Sequence, residues 1–117
     1  MTTTAQNFEI YKGDDLTLQV TVKNADGTAK DLTGATIKWQ LSTGVNATPP
    51  LLSKAVGTGI TITNAAGGVF EIAIAQSDTA SMPAKDTYYH EAEVTDGAGK
   101  KSTVLTGTAK VKAALVA

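Results

Sequence analysis

Hydrophobic and polar residues alternate along the chain with a period of two. The first clear stretch is 16–23, in which leucine and valine alternate with threonine, glutamine and lysine. The same alternation recurs in four later stretches: 35–41, 70–74, 88–94 and 105–112. Because successive side chains of a β-strand point to opposite faces, this pattern predicts strands with one buried and one exposed face. Three shorter candidates bring the predicted number to seven or eight strands: 7–11, 52–56 and 60–63.

Turn signals separate these stretches. Asp26-Gly27 follows the first of them, Gly67-Gly68 precedes the third, and Asp96-Gly97 lies between the last two. Short strands separated by such turns predict an all-β fold, an immunoglobulin-like antiparallel β-sandwich of seven to eight strands. The one helical signal is a short turn over 76–82, which Pro83 ends.

The chain divides into one domain and two short ends. The predicted sandwich occupies residues 7–112, and 117 residues suffice for one core. Residues 1–6 are predicted to form a flexible N-terminal arm, and residues 113–117 an apolar C-terminal tail that packs on a partner.

Composition and charge exclude several classes of function. The net charge is −1, with ten basic and eleven acidic residues, and no long run of either sign is present, so we expect no nucleic-acid partner. Without cysteine, neither a disulfide framework nor a thiol nucleophile is available. No stretch is as apolar and long as a membrane helix, and the N-terminus does not resemble a signal peptide. We therefore expect a protein made in a cytoplasm, with no membrane partner.

The residues that could support catalysis are few. His90 is the only histidine, and its alternation phase with Tyr88 and Ala92 predicts an inward-facing side chain of structural or interface role. Glu91 and Glu93 share the opposite face, where paired carboxylates are more often solvated than catalytic. The aspartates are scattered over loops, which favours turn formation over calcium binding. We expect no enzyme activity, no catalytic residue, no metal site and no cofactor.

Partner-binding surfaces are the remaining candidates. Trp39 is in phase with core positions, whereas Tyr88 and Tyr89 must point to opposite faces, one into the core and one outward. Two consecutive prolines exclude a central strand and predict an exposed loop. The predicted partner-binding residues come from this loop, the outward tyrosine and the C-terminal tail: Pro49, Pro50, Tyr89, Leu115 and Val116.

The order of several short motifs resembles a phage protein family. A strand over 8–12 ends at Gly13-Asp14, Leu32-Thr33-Gly34-Ala35 leads into the strand of Trp39, and Tyr88-Tyr89-His90-Glu91 opens a late strand. This order, from about Phe8 to Val111, is similar to the immunoglobulin-like domain at the N-terminus of phage baseplate upper proteins and to related small phage tail domains. Members of that family continue into long receptor-proximal regions, whereas this sequence ends at Ala117. The resemblance implies a stand-alone module or a small virion protein that uses the domain for attachment.

Three functions follow from the resemblance and the fold. The first is a structural component of a bacteriophage or prophage particle, in the tail, baseplate or head-tail region, located in the virion after synthesis in the host cytoplasm. Its partners would be other virion proteins and further copies of the chain. The alternatives are a capsid decoration protein and, third, a carbohydrate-binding module, which would require exposed aromatic residues.

Overall fold

The computed structural model describes residues 4–44, 49–80 and 82–115. These ranges contain nine strands and one short helix, with the following bounds: β1 Thr4–Ala5, β2 Phe8–Tyr11, β3 Leu16–Thr21, β4 Thr36–Ser42, β5 Leu52–Val56, β6 Gly59–Asn64, β7 Val69–Ile74, α1 Gln76–Ala80, β8 Lys85–Thr95 and β9 Lys101–Lys112. The predicted all-β class is confirmed, and a short helix lies where the sequence predicts it.

The strands form one curled, mixed sheet. Its order is β1-β9-β8-β4-β5-β6-β7-β3, and β2 pairs with β9 beside β1. Most neighbours are antiparallel, but β1 and β2 run parallel to β9, and β5 runs parallel to β6 over two residue pairs. The described residues thus form nine strands where seven to eight were predicted, and the pairing is mixed, because β1 and β2 join β9 in parallel and β5 joins β6 in parallel.

One face of every long strand packs into a single core. Except for the half-buried Leu16, the inward apolar side chains of β3, β4, β7 and β8 are at most about a twentieth exposed, as the period-two pattern predicts. The largest fully buried side chains are Trp39, Tyr88 and Phe70. Buried residues of both halves of the sheet belong to the same cluster, so the curled sheet folds over one hydrophobic interior.

The N-terminal segment lies against β9. Thr4 pairs with Leu105 and Phe8 pairs with Ala109, so β1 and β2 keep one register across a two-residue interruption. Residues 4–6 of the predicted arm are thus paired with or hydrogen-bonded to β9, whereas residues 1–3 lie outside the described residues. The interruption has a local cause, because the Asn7 side-chain oxygen accepts the Thr108 amide at 2.9 Å in place of a backbone carbonyl.

A bulge interrupts the pairing of β8 with β9. The register shifts between Ala92 and Glu93, opposite Val104 and Leu105, which are both buried. An extra residue on one strand permits two consecutive side chains to face the core. The alternation predicted for 105–112 is confirmed at Leu105, and the burial of Val104 is an addition to it.

The short helix is tied to two distant elements. The backbone amide of Gln76, at its first residue, donates to Asp15 Oδ1 at 2.6 Å. Asp78 Oδ2 accepts the Ala75 amide at 2.8 Å and the Lys54 ammonium at 2.7 Å. Burial raises the pKa of Asp78, but these hydrogen bonds outweigh it and leave that pKa below its usual value. The helix is thus held by hydrogen bonds to the β2–β3 loop and to β5.

Candidate functional site

His90 occupies a hydrogen-bonded position in the core. The Trp39 indole Nε1 donates to His90 Nδ1 at 3.1 Å, and His90 Nε2 lies 2.7 Å from the carbonyl oxygen of Gln6. Because an indole nitrogen can only donate, Nδ1 must be the acceptor and the proton must be on Nε2, which donates to Gln6. The Phe8 ring packs edge-on against the imidazole, with ring centroids 5.0 Å apart.

These contacts disfavour a charged His90. Burial lowers its pKa, and the hydrogen bond to the Gln6 carbonyl opposes that effect less strongly. Protonation of Nδ1 would also set its N–H against the Trp39 N–H and remove one hydrogen bond. The prediction of an inward-facing structural histidine is confirmed, since both ring nitrogens are used within the fold.

The other buried polar side chain among the described residues is Thr79. Its hydroxyl oxygen accepts the backbone amide of Gly13 at 2.9 Å and so holds α1 against the turn after β2. Within the described ranges, every buried side-chain nitrogen or oxygen has a hydrogen-bond partner. Such satisfied groups stabilise the fold and are not aimed at a ligand.

The loop aspartates stabilise turns. Asp26 Oδ1 accepts the amide and hydroxyl of Thr28, and Asp31 Oδ1 does the same for Thr33. The threonine hydroxyl bonds are the main reason that the pKa values of both aspartates are lowered. In the part of the chain that is described, no group of three or more histidine, aspartate or glutamate side chains could hold a metal ion.

Glu91 and Glu93 lie on the outer face of β8, as predicted. Glu93 pairs with Lys38 of β4, and Glu91 pairs with Gln40. These four residues line a shallow polar depression on the outer face. Glu91 is exposed and Glu93 is half-buried. The depression is open to solvent, which does not provide the enclosed, water-poor environment in which carboxylate pairs act as acid and base.

Exposed apolar side chains are concentrated at one end of the sheet. Among the described residues five large hydrophobic side chains are exposed, and four of them form what we call the end surface: Tyr11 at 49%, Leu51 at 47%, Tyr89 at 40% and Leu115 at 100%. The fifth, Val56, is 42% exposed and lies at the opposite end of β5.

Strand register brings the end surface together. Tyr11 is the last residue of β2 and pairs with the last residue of β9, three positions before Leu115. Tyr89 pairs with Ser42, the last residue of β4, and the amide of Leu51 donates to the Leu41 carbonyl beside it. Tyr89 and Leu51 therefore lie on either side of the end of β4, and Tyr11 and Leu115 lie at or beyond the end of β9, at the same end of the sheet.

A groove of about 350 Å³ runs along the outer face beside Tyr89. Its walls include polar side chains from three adjacent strands: Gln40, Ser42, Glu91, Thr106 and Thr108. The groove thus combines one aromatic ring with amide, hydroxyl and carboxylate groups. It adjoins the end surface and extends its contact area over the sheet face.

The predicted partner-binding residues are partly brought together. Pro49 is exposed and Pro50 is half-buried, both beside Leu51, and Tyr89 is exposed across the end of β4. Leu115 is fully exposed, whereas Val116 lies outside the described residues. Sequence reasoning missed Tyr11 and Leu51. Tyr11 follows the inward Ile10 in a strand, so its outward phase was a usable signal.

Two comparisons with known proteins, one with family models and one with curated sequences, find no match. Among the helical residues that the structure describes, none belongs to a helix with the length and hydrophobicity needed to cross a membrane.

Proposed function

We propose that this chain is a non-enzymatic structural protein of a bacteriophage or prophage particle, in which an immunoglobulin-like domain binds neighbouring subunits. The end surface carries this proposal, because among the described residues four of the five exposed large apolar side chains lie at one end of the sheet. Aromatic side chains are enriched in protein interfaces, and grouped apolar exposure is characteristic of them. The sheet organisation and the occupied histidine support a binding module over an enzyme.

The immunoglobulin-like part of the proposal is supported by topology and by two aromatic residues. In such a sandwich β2-β9-β8-β4-β5 would form one sheet and β6-β7-β3 the other; in this chain the two sets are joined by the short β5–β6 pairing. Trp39 is buried on β4, the position of the core tryptophan in immunoglobulin domains. The Tyr88 hydroxyl donates to the Pro83 carbonyl at 2.6 Å, the arrangement known as a tyrosine corner.

A matched pair of substitutions tests the end surface. Leu51→Ser and Val56→Ser each remove a similarly exposed aliphatic side chain beside or within β5, but only Leu51 belongs to the end surface. We expect the wild-type chain to self-associate, and L51S combined with Y89A to weaken that association by about tenfold or more, with V56S unchanged. Sedimentation velocity over a concentration series measures the association.

The outcomes separate the parts of the proposal. A wild-type chain that stays monomeric throughout the series, or an equal loss in V56S, contradicts assembly through the end surface. A ring-sized oligomer favours a tail or baseplate location, whereas a trimer favours capsid decoration. The phage origin is tested by the neighbouring genes, among which we expect portal, tail or capsid genes. A neighbourhood of metabolic genes contradicts that origin.

A carbohydrate-binding module is the second candidate, because the groove sets Tyr89 beside polar side chains able to bind sugar hydroxyls. Trp39 is fully buried, so its fluorescence would not report a ligand there. Chemical shifts of Tyr89 and Gln40 during titration with oligosaccharides provide the direct test. Saturable shifts that are lost in Y89A would favour sugar binding, and unchanged shifts would exclude it for the sugars used.

A further inference from the structure

The first described residues of the chain form a strap across β9, which we define as residues 4–8. The Gln6 amide donates to the Thr106 carbonyl at 2.9 Å, and Asn7 accepts the Thr108 amide. None of residues 4–8 is fully buried, and the first buried side chain after them is Ile10. Besides these hydrogen bonds, the strap is held by its parallel pairing with β9 and by the half-buried Phe8 ring, which packs against the core.

His90 connects this strap to the core. Its Nε2 donates to the Gln6 carbonyl, its ring contacts Phe8, and its Nδ1 accepts the Trp39 indole proton. A second proton on the ring would remove the Trp39 bond and leave an imidazolium in an apolar interior. A buried imidazolium also lacks hydration, and the strap's Gln6 carbonyl and Phe8 ring lie directly against the His90 ring.

We propose that residues 4–8 are an acid-released strap: protonation of His90 detaches them from β9 while the rest of the sheet remains folded. Local opening is favoured over global unfolding because Phe8, which is half-buried, is the one large apolar side chain in residues 4–8, and the fully buried core begins at Ile10. Its release hydrates His90 and frees the edge of β9. The proposal is independent of the assembly function, since it concerns the fold of one chain.

No charged side chain of the described residues compensates an imidazolium at this site. On β8 itself, Glu91 lies on the outer face, and the inward Tyr88 has its pKa raised by burial, so it stays neutral in acid. The charged residues on the packed neighbouring strands are also on the outer side: Lys38 of β4, Glu9 of β2, and Lys101, Lys110 and Lys112 of β9. Glu9 pairs with Lys112 at 2.8 Å.

Gly107 permits the contact between strap and histidine. It pairs with His90 across the β8–β9 ladder, and a Cβ atom there would collide with the Gln6 carbonyl and with His90 Nε2. Its backbone conformation is an ordinary one, so a side chain at this position acts through the collision alone. Gly107→Ala therefore provides a way to displace the strap without acid.

Amide hydrogen exchange followed by NMR tests the proposal on the intact chain. From about pH 7.5 to about pH 5, after correction for the intrinsic rate, we expect the protection of the Gln6 and Thr108 amides to fall by about tenfold or more. The Ile72 amide in β7 should keep its protection, and the fall should follow the His90 titration observed in the same spectra. A parallel loss at Ile72, or a titrating His90 with the strap still protected, would overturn the proposal.

Three variants test whether protonation of His90 is the cause of strap release. His90→Gln supplies an acceptor for Trp39 and a donor for Gln6 without titrating, so its strap should stay protected in acid. Glu9→Gln should keep the wild-type pH dependence, because hydrogen bonding and the charge of Lys112 lower the pKa of Glu9 and keep it ionised over this range. Gly107→Ala should lose strap protection already at neutral pH. An acid response that persists in H90Q or disappears in E9Q, or a protected strap in G107A, contradicts the mechanism.

Discussion

At the scale of residues, two adjacent tyrosines on β8 contribute to different properties. Tyr88 is 1% exposed, with its hydroxyl on the Pro83 carbonyl, whereas Tyr89 is 40% exposed on the outer face. The difference follows from strand geometry alone, because neighbouring side chains point to opposite faces. Tyr88 therefore stabilises the fold, and Tyr89 is available for binding.

Removal of the two hydroxyl groups measures this difference. Tyr88→Phe deletes the donor to Pro83 and should lower the free energy of unfolding by about 1 kcal/mol, the usual net value of one hydrogen bond. Tyr89→Phe removes a solvent-exposed hydroxyl and should change it by less than about 0.5 kcal/mol. Urea denaturation followed by Trp39 fluorescence checks both values. Equal losses in the two variants would show that the Pro83 contact contributes nothing specific.

At the scale of elements, Gly68 fixes how two turns meet. Its φ is +73°, and a Cβ atom would collide with the carbonyl oxygens of Val22 and Lys30. The Val22 amide in turn donates to the Gly68 carbonyl at 2.8 Å. The approach of the β6–β7 turn to the segment after β3 thus requires glycine for two reasons, conformation and space.

A comparison with Gly99 distinguishes the cost of the backbone conformation from the cost of the collision. It also has a positive φ, but a Cβ atom there would meet nothing within 4 Å. Gly99→Ala should therefore cost only the conformational strain, about 1–2 kcal/mol, and Gly68→Ala should cost clearly more than that. Thermal unfolding of both variants provides the comparison. A G68A variant as stable as G99A would mean that the backbone relaxes away from the collision at little cost.

The long strands were predictable from the sequence, whereas the pairing of the N-terminal segment at the edge of the sheet beside β9 was not. Alternation identified the inward residues of β4 and β8, including Trp39 and His90, because one period governs each strand. It gave no indication of the Gln6 contact, since 84 positions separate Gln6 from His90 and pairing between distant segments leaves no local pattern. For the candidate site, the outward phase of Tyr89 was predicted, but its proximity to Leu51 depends on the β4–β5 register.

At the scale of the whole molecule, the two ends of the sheet differ in character. The end with Tyr11, Leu51, Tyr89 and Leu115 is rich in exposed apolar groups. The opposite end carries the Asp96–Gly99 turn, where Asp96 accepts the amides of Ala98 and Lys100. The larger number of exposed apolar groups at the first end favours contact with a neighbour there, and the C-terminal tail leaves from the same end, after Lys112.

Shortening the tail tests this polarity. Deletion of residues 113–117 removes the fully exposed Leu115 and follows the last hydrogen-bonded strand residue, Lys112. We expect weaker self-association with an unchanged unfolding midpoint, because exposed tail atoms stabilise the monomer little. Leu115→Ser in the full chain should reproduce most of the loss, since it removes the apolar contact and keeps the backbone. Light scattering after size exclusion measures the assembly. Full assembly of the deleted chain would exclude the tail from the interface. A lower unfolding midpoint would show that the tail stabilises the folded monomer.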